Sequence, residues 1–516
     1  MHPLDDTAAY QVITARDARF DGRLFVGVTS TGVYCRPICR VRTPMQKNCR
    51  FFATPAQAEA EAFRPCMKCR PELAPGVDFA WTVMDASRTL ARQAAAALDE
   101  LAASGDLMSV ADIADRLGVS DRHLRRIFLT EHGVTPLQYL QTRRLLLAKQ
   151  LLTDTRLPIA QIALASGFNS VRRFNAAFAE SYRMSPSRLR GDVEFDALAS
   201  DAGVTVKLAY RAPHDIDAFM RFITLRAIPD VEVVDGRRIR RSLRAGSVTS
   251  QAGWLEVEFA RDAPLVHLRF APELAGASGR VVAAVRRWLD LDATPETIDA
   301  TLAAIPGAPG LRLPGSLDAF ELALRAVLGQ QVTVAGARTL AKRVVERFGV
   351  PLATPWGDVT RCFPQPEVLA SAAIEQIAEL GIIRTRAAAI IAIAQAWVEI
   401  APLLAAHARP EVLIERLCAI KGIGQWTAHY IAMRALGWPD AFPPNDVAVL
   451  KAMKQLFGTA SQREADVHAQ AWQPWRAYAV LRLWNSLEPP GRPKATKPPR
   501  GATPKAAAEQ QLENKS

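Results

Sequence analysis

The sequence predicts a multidomain chain: a small α/β domain built around four cysteines, an all-α domain of two helix-turn-helix units, and an α+β region whose β-rich part precedes a helical bundle. Three observations lead there. At 516 residues the chain exceeds what one hydrophobic core supports, and roughly two to four domains are expected. The texture changes along its length, from Arg/Pro/Cys-rich to Ala/Leu helix, then to alternating strands, then to helix again. Four of the seven cysteines fall in two tight pairs.

Composition narrows the function classes. Hydrophobic residues at 49% and charged residues at 22% describe a soluble globular protein. The formal charge of +12 suggests a polyanionic partner, nucleic acid first, although basicity alone also fits a membrane surface or plain solubility. The N-terminal MHPLDDTAAY lacks the layout of a signal peptide. No uninterrupted apolar run of about twenty residues offers a spanning helix, and no membrane partner is expected. An odd number of cysteines without an export signal points to a reducing cytoplasm and away from a disulfide framework.

The first eighty residues carry "GVYCRPIC" (32–39) and "FRPCMKC" (63–69). Cys35 and Cys39 are spaced C-x3-C, and Cys66 and Cys69 are spaced C-x2-C. Two close pairs joined by a longer loop are what a tetrahedral four-thiolate zinc site requires, each pair clamping one edge. Cys49 lies outside both pairs and is expected to be a free buried thiol. Such a site reads in two ways. It is either structural, holding a domain with little core of its own, or reactive, because zinc keeps thiolates deprotonated and a ligand near the surface can attack a methyl group.

From about residue 84 to 190 the pattern is helical. "SVADIADRLGVSDRHLRRIFLTEHG" (109–133) reads as helix, a turn at Gly118-Val119-Ser120, then a second helix capped by Ser120 with Arg122, Arg125 and Arg126 projecting from it. The arrangement recurs at 157–186, with Gly167 at the turn and Arg172 and Arg173 on the second helix, and a long helix joins the two units. A single unit of this kind is also an ordinary helical hairpin; two at this spacing point to DNA. Strands are expected from Val204 onward, notably "WLEVEFA" (254–260) and "LVHLRFA" (265–271), with "DGRR" (235–238) as a turn.

From about residue 280 to 487 helices return. "ERLCAIKGIGQWTAHYIAMRALG" (415–437) has Leu417, Ile420 and Ile423 around "KGIG", then a helix from near Gln425: a helix–hairpin–helix pattern. Gly422 and Gly424 let the backbone turn with its amides open to a DNA phosphate, although a plain glycine turn between packed helices has the same signature. "DAFPPNDVAVLKAM" (440–453) puts Asp446 at a helix N-terminus, where it also serves as a cap. The tail, 488–516, is Pro/Lys/Ala-rich and reads as disordered and basic.

These motifs resemble three known families. "TSTGVYCRPICRVR" with "FRPCMKCRPE" is similar to the N-terminal domain of Ada, the bacterial adaptive-response protein, in which the first zinc cysteine accepts a methyl group from a methylated DNA phosphate. The resemblance implies Cys35 as acceptor, Cys39, Cys66 and Cys69 as the other zinc ligands, and Arg42 as a DNA-facing residue. Zinc held by four thiolates carries two net negative charges; methylating one sulfur removes one and strengthens contact with phosphates. The paired helical units, with the closing "MSPSRLR", resemble AraC-type transcription regulators. The Pro-Cys-His motif of Ada's second methyltransferase domain is not present, so direct repair of O6-alkylguanine is not expected.

Residues 204–487 resemble AlkA-type 3-methyladenine DNA glycosylases of the helix–hairpin–helix class. The similar parts are "LPGSLDAFELALRAVLGQQVTVAGA" (313–337), the hairpin, and "WQPWRAYAVLRLWNSL" (472–487). In that class an aspartate about twenty residues past the hairpin is catalytic, and Asp446 stands twenty-two residues after Gly424. Trp426, Tyr430 and Trp484 are implied as aromatics against which a flipped base rests, with core packing as the competing use of each. Gln330 and Gln331 are implied at the DNA, Gln331 where the best-known member has an apolar wedge. Asn445 sits where some relatives carry a second acid. Strand-cleaving relatives have a lysine where this chain has Trp426, so base removal without a lyase step is expected. No closely spaced C-terminal cysteines suggest an iron–sulfur cluster, and Cys418 stands alone.

The combined expectation divides the chain into an Ada-like four-cysteine zinc domain (1–80), an AraC-type double helix-turn-helix domain (81–192), a β-rich glycosylase subdomain (203–290), a helix–hairpin–helix domain (291–487) and the tail. It implies one zinc ion, alkylated and promoter double-stranded DNA as partners, RNA polymerase as a further one, and a bacterial cytoplasm at the nucleoid. Two other readings use the same residues: a non-enzymatic damage-binding transcription factor in which Asp446 is only a cap, and a glycosylase whose zinc is purely structural.

Overall fold

A computed structural model of the chain describes residues 4–76, 86–105, 108–191, 203–405, 408–459 and 461–487. The expected tail, the boundary at residues 80 and 81, and most of the link at 192–203 lie outside the described residues.

The N-terminal unit is a four-stranded sheet ordered β3-β1-β2-β4, with β1 Phe25–Val28, β2 Val33–Cys35, β3 Cys49–Phe52 and β4 Arg64–Pro65. β1 pairs antiparallel with both β2 and β3, whereas β2 and β4 run parallel. That parallel pairing explains how distant cysteines meet. Cys35 ends β2, Cys66 immediately follows β4, and the Cys66 N–H donates to the Tyr34 carbonyl at 2.9 Å.

Both helix-turn-helix units form as the sequence predicts. Val110–Arg116 and Asp121–His132 flank a turn where Gly118 has φ +70°, a conformation glycine adopts without steric cost. The Ser120 hydroxyl accepts from the His123 N–H at 3.3 Å. Ile159–Ala165 and Val171–Tyr182 repeat the design around Gly167, with Ser170 as the second cap. The long helix Pro136–Asp154 joins them, opened by a capping box of Thr135 and Gln138.

The β-rich part is a five-stranded antiparallel sheet ordered β5-β9-β8-β7-β6, with β5 Val204–Ala209, β6 Glu232–Asp235, β7 Arg238–Leu243, β8 Gly253–Phe259 and β9 Leu265–Phe270. The predicted strands and the turn after Asp235 fall in place. Alternate residues of β9, Val266, Leu268 and Phe270, are fully buried, as a one-sided sheet requires. Its core is shared: Leu145 and Leu151 of the long helix and Ile162, Phe174 and Phe178 of the second helix-turn-helix unit lie in one apolar cluster with these strands. Nothing in the spacing of the apolar residues foretells that fusion.

Two further apolar cores build the helical part. One gathers helices between 319 and 431, including the hairpin residues Leu417, Ile420 and Ile423. The other gathers Pro295–Thr301, Val447–Phe457, Gln462–Ala469 and Arg476–Ser486. Tyr430 packs on the first core and Trp484 on the second, so the expected aromatic residues stand where the two cores meet.

Charged contacts tie the N-terminal unit to the rest. Buried Arg211 donates to carbonyls of Asp21, Pro75 and Gly76 on one side and of Asp292 and Ala293 on the other. Lys149 pairs with Glu72, and Arg70 bridges Glu72 and Asp154 at 2.8 and 2.6 Å. Glu59 accepts from Tyr34 at 3.0 Å and from Thr142, on the long helix, at 2.9 Å. No single helix among the described residues is long and apolar enough to cross a membrane; one bent pair, Arg384–Gln395 with Trp397–Leu404, passes on length and composition together.

Candidate functional site

Two places concentrate chemistry. In the first, one sulfur from each of Cys35, Cys39, Cys66 and Cys69 lies within 4.8 Å of every other. The first three are buried and Cys69 is half-buried. The Arg36 N–H donates to the Cys69 sulfur at 3.3 Å, and the Arg36 guanidinium is held by Asp21 through Nε at 2.8 Å and by a second contact from Nη2. Crowding couples the thiols. Hydrogen bonds to Cys39, Cys66 and Cys69, added to burial, push the Cys35 thiol up, while its bond to Cys35 brings Cys39 down to about 7. Four thiolates this close repel one another unless a cation sits among them, so the donor set fits a soft tetrahedral metal.

Arg42 is exposed on the segment after Cys39, as is Arg40. Cys49 departs from expectation: it is half-buried, not buried, and its thiol donates to the Met45 carbonyl at 3.4 Å. It starts the edge strand β3, where its neighbour Arg50 is exposed. Arg122, Arg125, Arg126, Arg172 and Arg173 are all exposed. Arg125 bonds Asp121 at 2.9 Å and Arg126 approaches the His123 ring at 3.1 Å, which leaves Arg122, Arg172 and Arg173 without such a side-chain contact among those described.

The second place centres on Asp446, which is 6% exposed. It is the N-cap of Val447–Phe457: Oδ1 accepts from the Val449 N–H at 2.8 Å. It also does something a cap does not need. Oδ1 accepts from the Trp484 indole at 3.1 Å, and Oδ2 from the Trp426 indole at 2.7 Å. Of roughly four acceptor positions on a carboxylate, three are filled, and the remaining one is on Oδ2.

The aromatics stand together. Trp426 and Tyr430 stack with centroids 5.2 Å apart and planes 9° apart, and Trp484 lies 6.3 Å from Tyr430 at 42°. A base held between parallel rings needs about 7 Å, twice a van der Waals contact. Trp426 and Tyr430 therefore touch each other, and the space between them admits no planar ligand. The sequence pointed to these rings as stacking surfaces; that both tryptophans also hold Asp446 was not readable, because indole donors have no spacing signature.

Gly422 and Gly424 are exposed at the hairpin tip, and Gly422 takes φ +95°. A methyl group on Gly422 would meet the Ala389 side chain at 3.0 Å, whereas Gly424 faces open space. Gln330 and Gln331 separate in function. Gln330 donates to the Gly422 carbonyl at 3.1 Å and to the Thr427 hydroxyl at 3.0 Å, pinning the hairpin to the preceding loop. Gln331 is exposed with φ +55°, a conformation costing about 1–2 kcal/mol for a non-glycine residue. Asn445 is exposed at φ +56°, where asparagine is tolerated. Cys418 is half-buried.

Four families match in sequence order: the metal binding domain of Ada over residues 8–72, a helix-turn-helix domain over 113–192, the AlkA N-terminal domain over 205–318, and the HhH-GPD superfamily of base excision DNA repair proteins over 324–477. A Mycobacterium tuberculosis protein named "Probable bifunctional transcriptional activator/DNA repair enzyme AlkA" is 36% identical over 505 residues, covering 94% of this chain and 97% of its own. The chain belongs to this bifunctional activator and repair family. Escherichia coli DNA-3-methyladenine glycosylase 2 is 33% identical over 280 residues, covering 54% of this chain and 95% of its own. The Bacillus subtilis bifunctional transcriptional activator/DNA repair enzyme AdaA is 30% identical over 186 residues, covering 35% of this chain and 81% of its own. Membership makes the protein a transcriptional activator and a DNA alkylation repair glycosylase with an Ada-type metal-binding domain.

Proposed function

We propose that the glycosylase part hydrolyses the N-glycosidic bond of alkylated purines, 3-methyladenine and 7-methylguanine, after the nucleotide leaves the helix, and that Asp446 is its catalytic residue. The observation that carries this is a buried carboxylate held by two tryptophan N–H groups, in addition to its cap bond, beside a stack of aromatic rings. A helix cap alone has no use for two indole donors, which disfavours the damage-binding reading without chemistry.

The residues divide the work. The hairpin at Gly422 and Gly424 offers backbone N–H groups to a phosphate, and Gln331, at the exposed tip of its loop, fills the gap left by the flipped base. The electron-poor purine rests against the outside of the aromatic group formed by Trp426, Tyr430 and Trp484. Ionised Asp446 stabilises positive charge developing on the sugar, and the open acceptor position on Oδ2 orients the attacking water. With Trp426 where a Schiff-base lysine would stand, the reaction ends at an abasic site.

In the N-terminal unit Cys35, Cys39, Cys66 and Cys69 hold zinc, which when bound keeps the thiolates deprotonated at neutral pH. Cys35 takes a methyl group from a DNA phosphotriester: an S–C bond forms, the C–O bond breaks, and its electron pair leaves with the phosphate. Arg42 meets the backbone there. Arg122, Arg125, Arg126, Arg172 and Arg173 contact promoter DNA, with RNA polymerase as the partner of activation. This assigns residues 1–80, 81–192, 203–290 and 291–487 their respective tasks. The test incubates the full chain with methylated duplex DNA, measures free purines, and locates methyl groups by mass spectrometry. Release of 3-methyladenine or 7-methylguanine, with methylation at Cys35, supports both halves; methyl-free Cys35 leaves the metal site structural.

A further inference from the structure

Arg434 lies in the π-helical turn Ala432–Leu436 that continues the helix Gln425–Ile431, four residues past Tyr430. Turns of this kind recur at functional sites. The side chain is buried, with the residue 6% exposed. Its Nε donates to the Pro314 carbonyl at 2.8 Å, Nη2 to the Gly315 carbonyl at 3.2 Å, and Nη1 to the Tyr430 hydroxyl at 2.8 Å. The guanidinium carbon is 5.6 Å from the Tyr430 ring centroid and 4.8 Å from that of Phe222. Among the described residues no carboxylate pairs with Arg434, so its charge rests on carbonyls and rings beside the pocket.

This is an unexpected neighbour for a pocket that receives cationic bases, because like charges oppose each other. It makes sense for a different leaving group. A cationic alkylated purine departs as a neutral molecule, whereas a neutral purine departs as an anion and needs hydrogen-bond donation and positive potential. A guanidinium has no acceptor. Since Tyr430 accepts from Arg434, its own phenolic hydrogen cannot be spent there and is left for a group in the pocket. The local field supports this polarity: burial works to raise the phenol's pKa, yet the Arg434, Arg226 and Arg325 guanidiniums outweigh it and hold it below the usual value.

We propose that Arg434 is a positioning residue that sets specificity through Tyr430, orienting the phenol as a donor to the departing base and so tilting the balance of excision toward neutral purines at some cost to cationic ones. The proposal rests on the glycosylase reading above. In the step it assists, the bond from C1′ to the purine nitrogen breaks and its electron pair goes to the base. The Tyr430 O–H hydrogen-bonds an acceptor on that base. Water adds its hydroxyl to C1′, and its proton ends on the base.

The test uses single-turnover base release by the full chain from two duplexes, one carrying hypoxanthine as the neutral purine and one carrying 7-methylguanine. Arg434→Gln is expected to slow hypoxanthine release about 30-fold without slowing 7-methylguanine release, and Tyr430→Phe to slow hypoxanthine release by a similar factor and 7-methylguanine release far less, so that each variant changes the ratio by about tenfold or more. The double variant should be no slower on hypoxanthine than either single one, because both remove the same donor. Arg434→Lys, which keeps charge without the forked geometry, should recover part of the ratio. Equal loss on both substrates, with a lowered melting temperature, would make Arg434 a packing residue and overturn the proposal. Additive losses, or a wild-type chain that releases 7-methylguanine but no hypoxanthine, would overturn it too. A wild-type chain that releases neither base removes the glycosylase reading itself. If Arg434→Gln does not fold, Tyr430→Phe and Arg434→Lys still decide the ratio.

Discussion

The thiol cluster and the Asp446 site handle negative charge in opposite ways. The cluster brings four ionisable sulfurs within 4.8 Å of one another, a set that is stable as thiolates only around a cation. The second site buries one carboxylate and satisfies it with three N–H groups from Trp426, Trp484 and Val449. The first site is completed from outside the chain; the second is complete within it. Each arrangement suits a different task. A metal-held thiolate can be consumed once by a methyl group, whereas a preorganised carboxylate must return unchanged after every turnover.

The largest effect should come from removing the charge in the second site alone. Asparagine caps helices as well as aspartate does, so Asp446→Asn keeps the helix start while removing the anion. Base release should fall by about 10²–10³-fold, measured in single turnover, with metal content unchanged. A chelator should do the reverse. Stripping the metal should lower the melting temperature of the N-terminal unit by more than about 10 °C and leave base release within about twofold of its starting value. A tenfold loss of base release on chelation would show that the two sites are not independent.

A smaller effect should separate the donors of Asp446 from one another. Trp426→Phe and Trp484→Phe keep a ring in place while deleting an N–H. Each should cost about tenfold in base release, in line with a hydrogen bond to a charged group. The pair should cost more than the product only if Asp446 changes rotamer when both are gone. A Trp484→Phe variant with full activity would reduce that indole to packing.

How much of this was visible in the sequence follows from the same contrast. The thiol site was legible because metal ligation imposes spacing, and Cys35, Cys39, Cys66 and Cys69 meet where the spacing implied. The helix-turn-helix units, with Gly118, Gly167 and Ser120, were legible because turns and caps demand particular residues at fixed offsets. Asp446 could be placed at a helix start, but its indole donors come from twenty residues before and thirty-eight after, and no local rule links them. Arg434 was silent for the same reason, since its partners Pro314 and Gly315 are over a hundred residues away. The common core of the second helix-turn-helix unit and the β5–β9 sheet was hidden too. An apolar face tells that something covers it and not what.

The effect expected to be smallest on base release, and to fall on stability instead, concerns the seam between the thiol unit and the long helix Pro136–Asp154. Glu59 is held there by Tyr34 and Thr142 and sits near Lys149; burial, the largest influence, raises its carboxyl from 4.5 to about 7 despite those three partners. A carboxyl whose pKa is raised on folding binds its proton more tightly in the folded state. Its contribution is therefore fully present below about pH 4.5 and is lost as pH rises through 7, a change on the order of 3 kcal/mol between the limits. The melting temperature of the N-terminal unit with metal bound should accordingly decline between pH 5 and 8. Glu59→Gln, which keeps a carbonyl acceptor for one of the two hydroxyls but does not ionise, should flatten that decline while leaving base release unaltered. A wild-type chain whose N-terminal unit is equally stable at both ends of the range would mean that Glu59 is solvated in solution, and that this seam opens more readily than the Arg211 contacts beside it.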